Sequence, residues 1–113
     1  MKSFEFSGLI FFINAKQDDM SIVSSWTTGD RVSTLVDSDI YEPTSLAIDY
    51  RAGGRLFWSD FTRGTVESVM PDGSDRAIVA YMDEDERPFH VDVFAECVFM
   101  LHASTCLVHV VNQ

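Results

Sequence analysis

The sequence predicts an all-β chain built from four-stranded antiparallel units stacked face to face. Three features predict it. Apolar residues gather in short runs separated by Gly- and Pro-bearing turns, with no helical period between them. The run Leu56-Phe57-Trp58 is continuously apolar, which is what a strand covered on both faces requires. The order of runs and turns also recurs: Gly29 and Gly73 stand 44 residues apart, and Pro43 and Pro88 stand 45 apart. A unit of about 40–45 residues holding four short strands is a propeller blade, which packs against neighbouring blades around an axis.

The first copy opens on a strand at 8–13. The leading MKSFEFSGLIFFINA has a lysine before an apolar run, as a signal peptide does. Glu5 and Ser7 interrupt that run, however, and the repeat reads 8–13 as a buried strand. Here Ile10-Phe11-Phe12-Ile13-Asn14 takes the place held by Leu56-Phe57-Trp58-Ser59-Asp60 in the next copy. Strands at 21–26 and 31–36 follow, joined across Thr27-Thr28-Gly29-Asp30.

The second copy starts at Pro43 and runs through strands at 45–49, 55–59, 65–70 and 76–80. Gly53-Gly54 turns the first pair, a polar loop with Gly64 the second, and Pro71-Asp72-Gly73-Ser74 the third. Proline presets φ and glycine accepts a positive φ, so the last is a turn for a physical reason. The third copy opens at Pro88, with strands at 89–94, 97–101 and 106–111. This divides the chain into a partial repeat at 1–42, a complete one at 43–87 and the start of another at 88–113, about two and a half blades. The start falls inside one copy and the end inside another, so the chain reads as a truncated gene product.

Leu56, Phe57 and Trp58 should therefore lie between two neighbouring blades. Ser59 and Asp60 end the strand where buried backbone N–H groups need acceptors, so their expected work is structural hydrogen bonding rather than catalysis. Phe11, Phe12 and Trp26 are expected to line one uncovered outer face, and Phe94, Phe99 and Met100 the other. A hairpin closing around 102–105 would set Cys106 opposite Leu101 and Cys97 opposite Val110, too far apart for a disulfide.

Composition narrows the function. Of 113 residues, 18 are acidic and 8 basic, a formal charge of −10. Nucleic acid and anionic membrane surfaces both need a basic face, so neither is an expected partner. The charge favours a protein ligand with a basic surface. Asp83-Glu84-Asp85-Glu86 links two copies and reads either as a solvated loop or as part of an acidic ligand surface. A calcium-dependent propeller enzyme needs carboxylates converging from several inner strands. Asp49 and Asp92 are the inner-strand candidates, but Asp49 matches Phe94 and Asp92 matches Ala47 in the repeat, so no symmetric cage is encoded. His90, His102 and His109 lack tight metal-ligand spacing, although His102, His109 and Cys106 could meet across a hairpin. No cofactor is expected.

Phe57-Trp58-Ser59-Asp60 resembles a YWTD motif, with Trp58 and Asp60 retained. Pro43 with Leu46-Ala47-Ile48-Asp49, together with Arg55, Gly73 and Arg76, resembles the surrounding repeat, most strongly in the central copy. The chain is thus similar to the class B repeats of the low-density lipoprotein receptor family. That resemblance implies a six-bladed β-propeller in the extracellular part of a plasma-membrane receptor, with endocytosis or co-receptor signalling as its work. The remaining blades and adjacent EGF-like modules of the full-length receptor would be its neighbours. It also implies no catalytic site and no membrane contact by this segment, with His90 and His102 as nominal sensors of endosomal pH. The alternatives are a segment of a six-bladed calcium-dependent hydrolase and a segment of a secreted, nidogen-like matrix protein.

Overall fold

The computed structural model describes residues 4–6, 8–16, 19–51, 53–83, 87–94, 97–102 and 108–112. Among the described residues, eleven strands form three antiparallel sheets. The first sheet runs in the order β1 (Phe4–Phe6), β2 (Leu9–Lys16), β3 (Asp19–Trp26), β4 (Ser33–Val36). The middle sheet is β5 (Pro43–Asp49), β6 (Arg55–Asp60), β7 (Thr65–Val69), β8 (Ala77–Tyr81), and the third is β9 (Pro88–Phe94), β10 (Cys97–His102), β11 (Val108–Asn112). Each sheet is an up-and-down meander, as short strands joined by tight turns dictate. The ten predicted strands are all present, with ends displaced by up to three residues. Phe4–Phe6 adds a strand that the repeat pattern does not announce.

The middle sheet is the core of the molecule. Alternation along β6 sends Leu56 and Trp58 to one side and Phe57 to the other. Leu56, Trp58, Leu46, Ile48 and Val69 meet Phe11, Ile13, Ile22 and Val36 of the first sheet. Phe57, Ala47 and Val66 meet Val91 and Val98 of the third. Leu56 and Trp58 are fully buried and Phe57 is 2% exposed. The continuous apolar run is thereby explained, since successive side chains enter two different interfaces.

Two expectations need correction. Phe11 does not line an outer face: it is fully buried in the interface with the middle sheet. Phe11 and Ile13 point one way along β2 and Phe12 the other, so the three cannot share a surface. Phe12 is half-buried and Trp26 is 38% exposed. On the other outer face, the side chains of Phe94, Phe99 and Met100 lie outside the described residues. The third sheet's hairpin also has another register: Leu101 faces Val108 and Cys97 faces Asn112. The pairing is offset by two residues from the predicted one, and a shift of two leaves the alternation of faces unchanged. Cys106 lies outside the described residues.

The hairpin from β7 to β8 shows how sequence sets a turn. Gly73 N donates to Met70 O and Met70 N to Ser74 O, both at 2.9 Å. This closes a three-residue loop with Gly73 at φ +87°, the bulge conformation that glycine adopts without strain. Gly64, after β6, has φ +71°, and a Cβ there would meet Met82 O at 3.2 Å. The close approach lets Met82 N donate to Gly64 O and brings the chain leaving β8 against that turn.

Candidate functional site: an interblade clamp

At the end of β6 the carboxylate of Asp60 is fully buried. Its Oδ2 accepts from Tyr41 N at 2.8 Å, and its Oδ1 accepts from Glu42 N at 3.1 Å and Arg63 N at 3.0 Å. One side chain thus satisfies amides of the linker entering β5 and of the turn leaving β6. Three charge-assisted bonds in a dry site fix the linker on the strand end. Ser59 lies on the opposite face. Its Oγ is 2.9 Å from Thr44 Oγ1 and reaches Phe89 O of the third sheet at 3.5 Å. Ser45 Oγ donates to Val91 O at 3.1 Å and accepts from Val91 N at 3.0 Å, joining β5 to β9. Arg87 Nη1 donates to Phe61 O and Thr62 O, fastening the entry to the third sheet onto the same turn.

A second cluster is centred on Glu67, which lies in β7 opposite Trp58 and is 1% exposed. Its oxygens accept from Thr65 Oγ1 at 2.7 Å, from Arg63 Nη1 at 3.2 Å, and from Arg76 Nε and Nη2 at 3.1 and 2.9 Å. Both guanidinium groups also reach the linker. Arg63 donates to Asp39 O at 2.8 Å, and Arg76 to Ser38 O at 2.7 Å and Asp39 O at 2.9 Å. Asp39 holds a left-handed φ of 50°, which short polar side chains tolerate best. Arg76 also lies over Trp58, its Cζ 5.3 Å from the ring centroid, a cation–π arrangement. Asp39, Arg63, Glu67, Arg76, Ala77 and Ile78 line a cleft of about 250 Å³. Its charged groups are largely paired with one another, and the arrangement joins the middle sheet to the linker from the first.

The predicted site residues fall into separate places. Leu56, Phe57 and Trp58 divide between the two interfaces, while Ser59 and Asp60 bond to the structures on either side. Asp49 ends β5 opposite Arg55, is 5% exposed, and accepts from Arg51 N at 3.0 Å. Asp92 is exposed in β9, where its Oδ1 accepts from Val93 N. Gly73 sits in the β7–β8 turn. Asp83 is exposed, and Glu84, Asp85 and Glu86 lie outside the described residues. His90 is exposed in β9. Among the described residues, no three His, Cys, Asp or Glu side chains gather as a metal site would need. No helix among them is long and apolar enough to cross a membrane.

Glu67, Arg63, Thr44, Ser45 and Arg87 were not anticipated. Glu67 did leave a signal: a lone carboxylate inside an otherwise uncharged strand, nine residues before Arg76. The pairing of Ser45 with Val91 has none, because a serine in an apolar strand does not say which neighbour its hydroxyl will meet.

These contacts tie two four-stranded sheets and one three-stranded sheet into a stack by their strand ends, an architecture that known proteins share. Residues 8–50 match the model for the low-density lipoprotein receptor repeat class B. Residues 8–50 form a low-density lipoprotein receptor class B repeat. The matched stretch takes β2, β3 and β4 of the first sheet and β5 of the middle one, so the sequence repeat and the sheet are out of phase by one strand. It also stops short of the 55–60 segment that most resembles the family motif. Over 66 residues the chain is 39% identical to the vitellogenin receptor of Solenopsis invicta, covering 58% of this chain and 4% of that one. Over 80 residues it is 31% identical to protein cueball of Drosophila sechellia, covering 68% of this chain and 12% of cueball. The chain therefore spans a small part of the length of these relatives. A chain of the nidogen/laminin complex crystal structure superposes with a TM-score of 0.78 at 20% identity, over 93% of this chain and 39% of the other. The three sheets are blades of an open β-propeller.

Proposed function

We propose that this chain is a non-enzymatic segment of the extracellular β-propeller of a low-density lipoprotein receptor-related protein. It contributes to binding a protein ligand with a basic surface, for endocytic uptake or co-receptor signalling. The observation that carries the reading is the class B match over 8–50, set beside a 39% identical stretch of a protein named for its ligand, vitellogenin. Two further features support it. The carboxylates of Asp60 and Glu67 are occupied by amides and guanidinium groups, which suits a structural role for them. The net charge of −10 favours a basic partner. In this reading Leu56, Phe57, Trp58, Ser59, Asp60, Asp49 and Gly73 build the blade, and Asp83, Glu84, Asp85 and Glu86 form a ligand-facing acidic surface. The remaining blades and EGF-like modules of the receptor flank it.

The test uses purified vitellogenin as the probe against the immobilised full chain. The expected result is saturable binding that weakens as salt rises, because exposed charges are screened beyond about 8 Å at physiological ionic strength. Neutralising Asp83, Glu84, Asp85 and Glu86 to Asn and Gln should weaken it further. Absence of binding, or binding indifferent to all four changes, would remove the acidic-surface assignment. Calcium-dependent hydrolysis of a lactone or phosphoester by the chain would overturn the non-enzymatic reading.

A further inference from the structure

The hairpin tip between β7 and β8 carries chemistry that ligand binding does not use. We propose that Asp72 is a site of spontaneous covalent modification, converting to isoaspartate through a cyclic imide, and that Ser74 holds the conversion back. In the first step Gly73 N attacks Asp72 Cγ. A C–N bond forms, and a carboxyl oxygen leaves as water together with the amide and carboxyl protons. In the second step water adds to the imide. Opening at the side-chain carbonyl restores aspartate, and opening at the main-chain carbonyl leaves isoaspartate. One water is lost and one regained, so no oxidant, reductant or other reactant is needed.

The residues suit this reaction. Asp72 is exposed, and the residue after it, Gly73, has no Cβ to obstruct the approach of its nitrogen. The fold opposes the reaction in two ways. Ser74 Oγ and Ser74 N both donate to Asp72 Oδ1, at 2.5 and 2.9 Å. These bonds, the hydroxyl's first, hold the carboxyl below its ordinary value and keep it ionised, whereas loss of oxygen as water needs the protonated form. Gly73 N meanwhile donates to Met70 O at 2.9 Å, which engages the attacking nitrogen in the turn. The reactive pair is therefore present but latched.

Conversion matters here because it adds a backbone methylene to a tight loop. The two residues beyond Ser74 are Asp75, paired with Arg55 at 3.0 Å, and Arg76, paired with Glu67 at 2.9 Å. Isoaspartate at 72 displaces both, loosening the middle blade from the linker.

The experiment follows isoaspartate at position 72 in the full chain by peptide mapping with electron-transfer fragmentation, during incubation at neutral pH. Conversion should be slow in the native chain, several-fold faster in Ser74→Ala, and slow again in Ser74→Thr, which keeps the hydroxyl. The acid limb of the pH–rate profile should move to higher pH in Ser74→Ala, because its carboxyl protonates sooner. In denaturant the unsubstituted chain should convert faster than when folded, and the difference between variants should vanish. Equal rates in folded wild type and Ser74→Ala would overturn the proposal. The wild-type chain alone also decides it, should Ser74→Ala not fold: no acceleration on denaturation means that the turn is not a latch.

Discussion

The first and middle sheets share one plan and differ in what occupies it. Phe12 pairs with Val23 where Trp58 pairs with Glu67, and Asn14 pairs with Ser21 where Asp60 pairs with Thr65. Even the irregularity recurs, between Ile22 and Val23 in one and Val66 and Glu67 in the other. The register then sets Val32 where Arg76 stands, 44 residues on. The first sheet therefore has Phe, Val, Val and Asn at the positions where the middle one has Trp, Glu, Arg and Asp. Both sheets form, so the blade itself rests on apolar alternation and turns. The charged set does other work: it ties the middle sheet to the linker at 38–42, through Asp60 and through Glu67 with its two arginines.

That contrast is sharpened by substituting matched positions. The largest difference should come from Trp58→Ala against Phe12→Ala. Emptying a fully buried site costs roughly 3–5 kcal/mol, whereas the half-buried phenylalanine should cost about half as much or less. Denaturant unfolding of the two variants checks it, and equal losses would mean that the two faces are equally covered. Next comes Glu67→Ala. Removing it strands two arginines that are about a quarter exposed, so the expected loss is about 2 kcal/mol, below that of a fully buried pair. The matched change Val23→Ala removes only apolar atoms. Asp60→Ala should cost roughly 1–3 kcal/mol by leaving three amides without their acceptor, while Asn14→Ala should stay within about 0.5 kcal/mol.

The smallest effect belongs to the turn at Asp72. Its folded-state pKa is lowered from 3.8 by Ser74, so its contribution is present above the ordinary carboxylate value and lost as pH falls through the lowered one. The group is solvent-exposed, so its influence on stability is slight. An NMR titration should place its midpoint below 3.8, and a midpoint at or above that value would remove the hydrogen-bonded turn.

Much of the fold could be read in the sequence because the middle blade obeys two local rules at once. Leu56-Phe57-Trp58 announces a strand covered on both sides, and Pro71-Asp72-Gly73 announces the turn between β7 and β8. Repetition then carries the pattern to weaker copies, which is how 8–13 reads as a strand despite lacking Trp and Asp. What the repeat could not supply was anything set by length or partner. Phe4–Phe6 is too short to show a period, and the loop between β10 and β11 has no glycine or proline to fix its register. Phe11 and Phe12 look alike in the sequence, and only the pleat decides which one enters the core. Asp60 was legible as an acceptor because a carboxylate ending a buried strand must meet amides. Which amides, those of Tyr41, Glu42 and Arg63, depends on where the linker passes.

The middle sheet is covered on both faces by sheets of the same chain and clamped to the linker that leads into it from the first. Native-state hydrogen exchange of the full chain, read by mass spectrometry strand by strand, tests it most directly, since the slowest amides mark the most cooperative unit. The strongest protection is expected in β5, β6 and β7, with β1 and β4 of the first sheet exchanging faster. Protection in the first sheet equal to or greater than that in the middle sheet would contradict it.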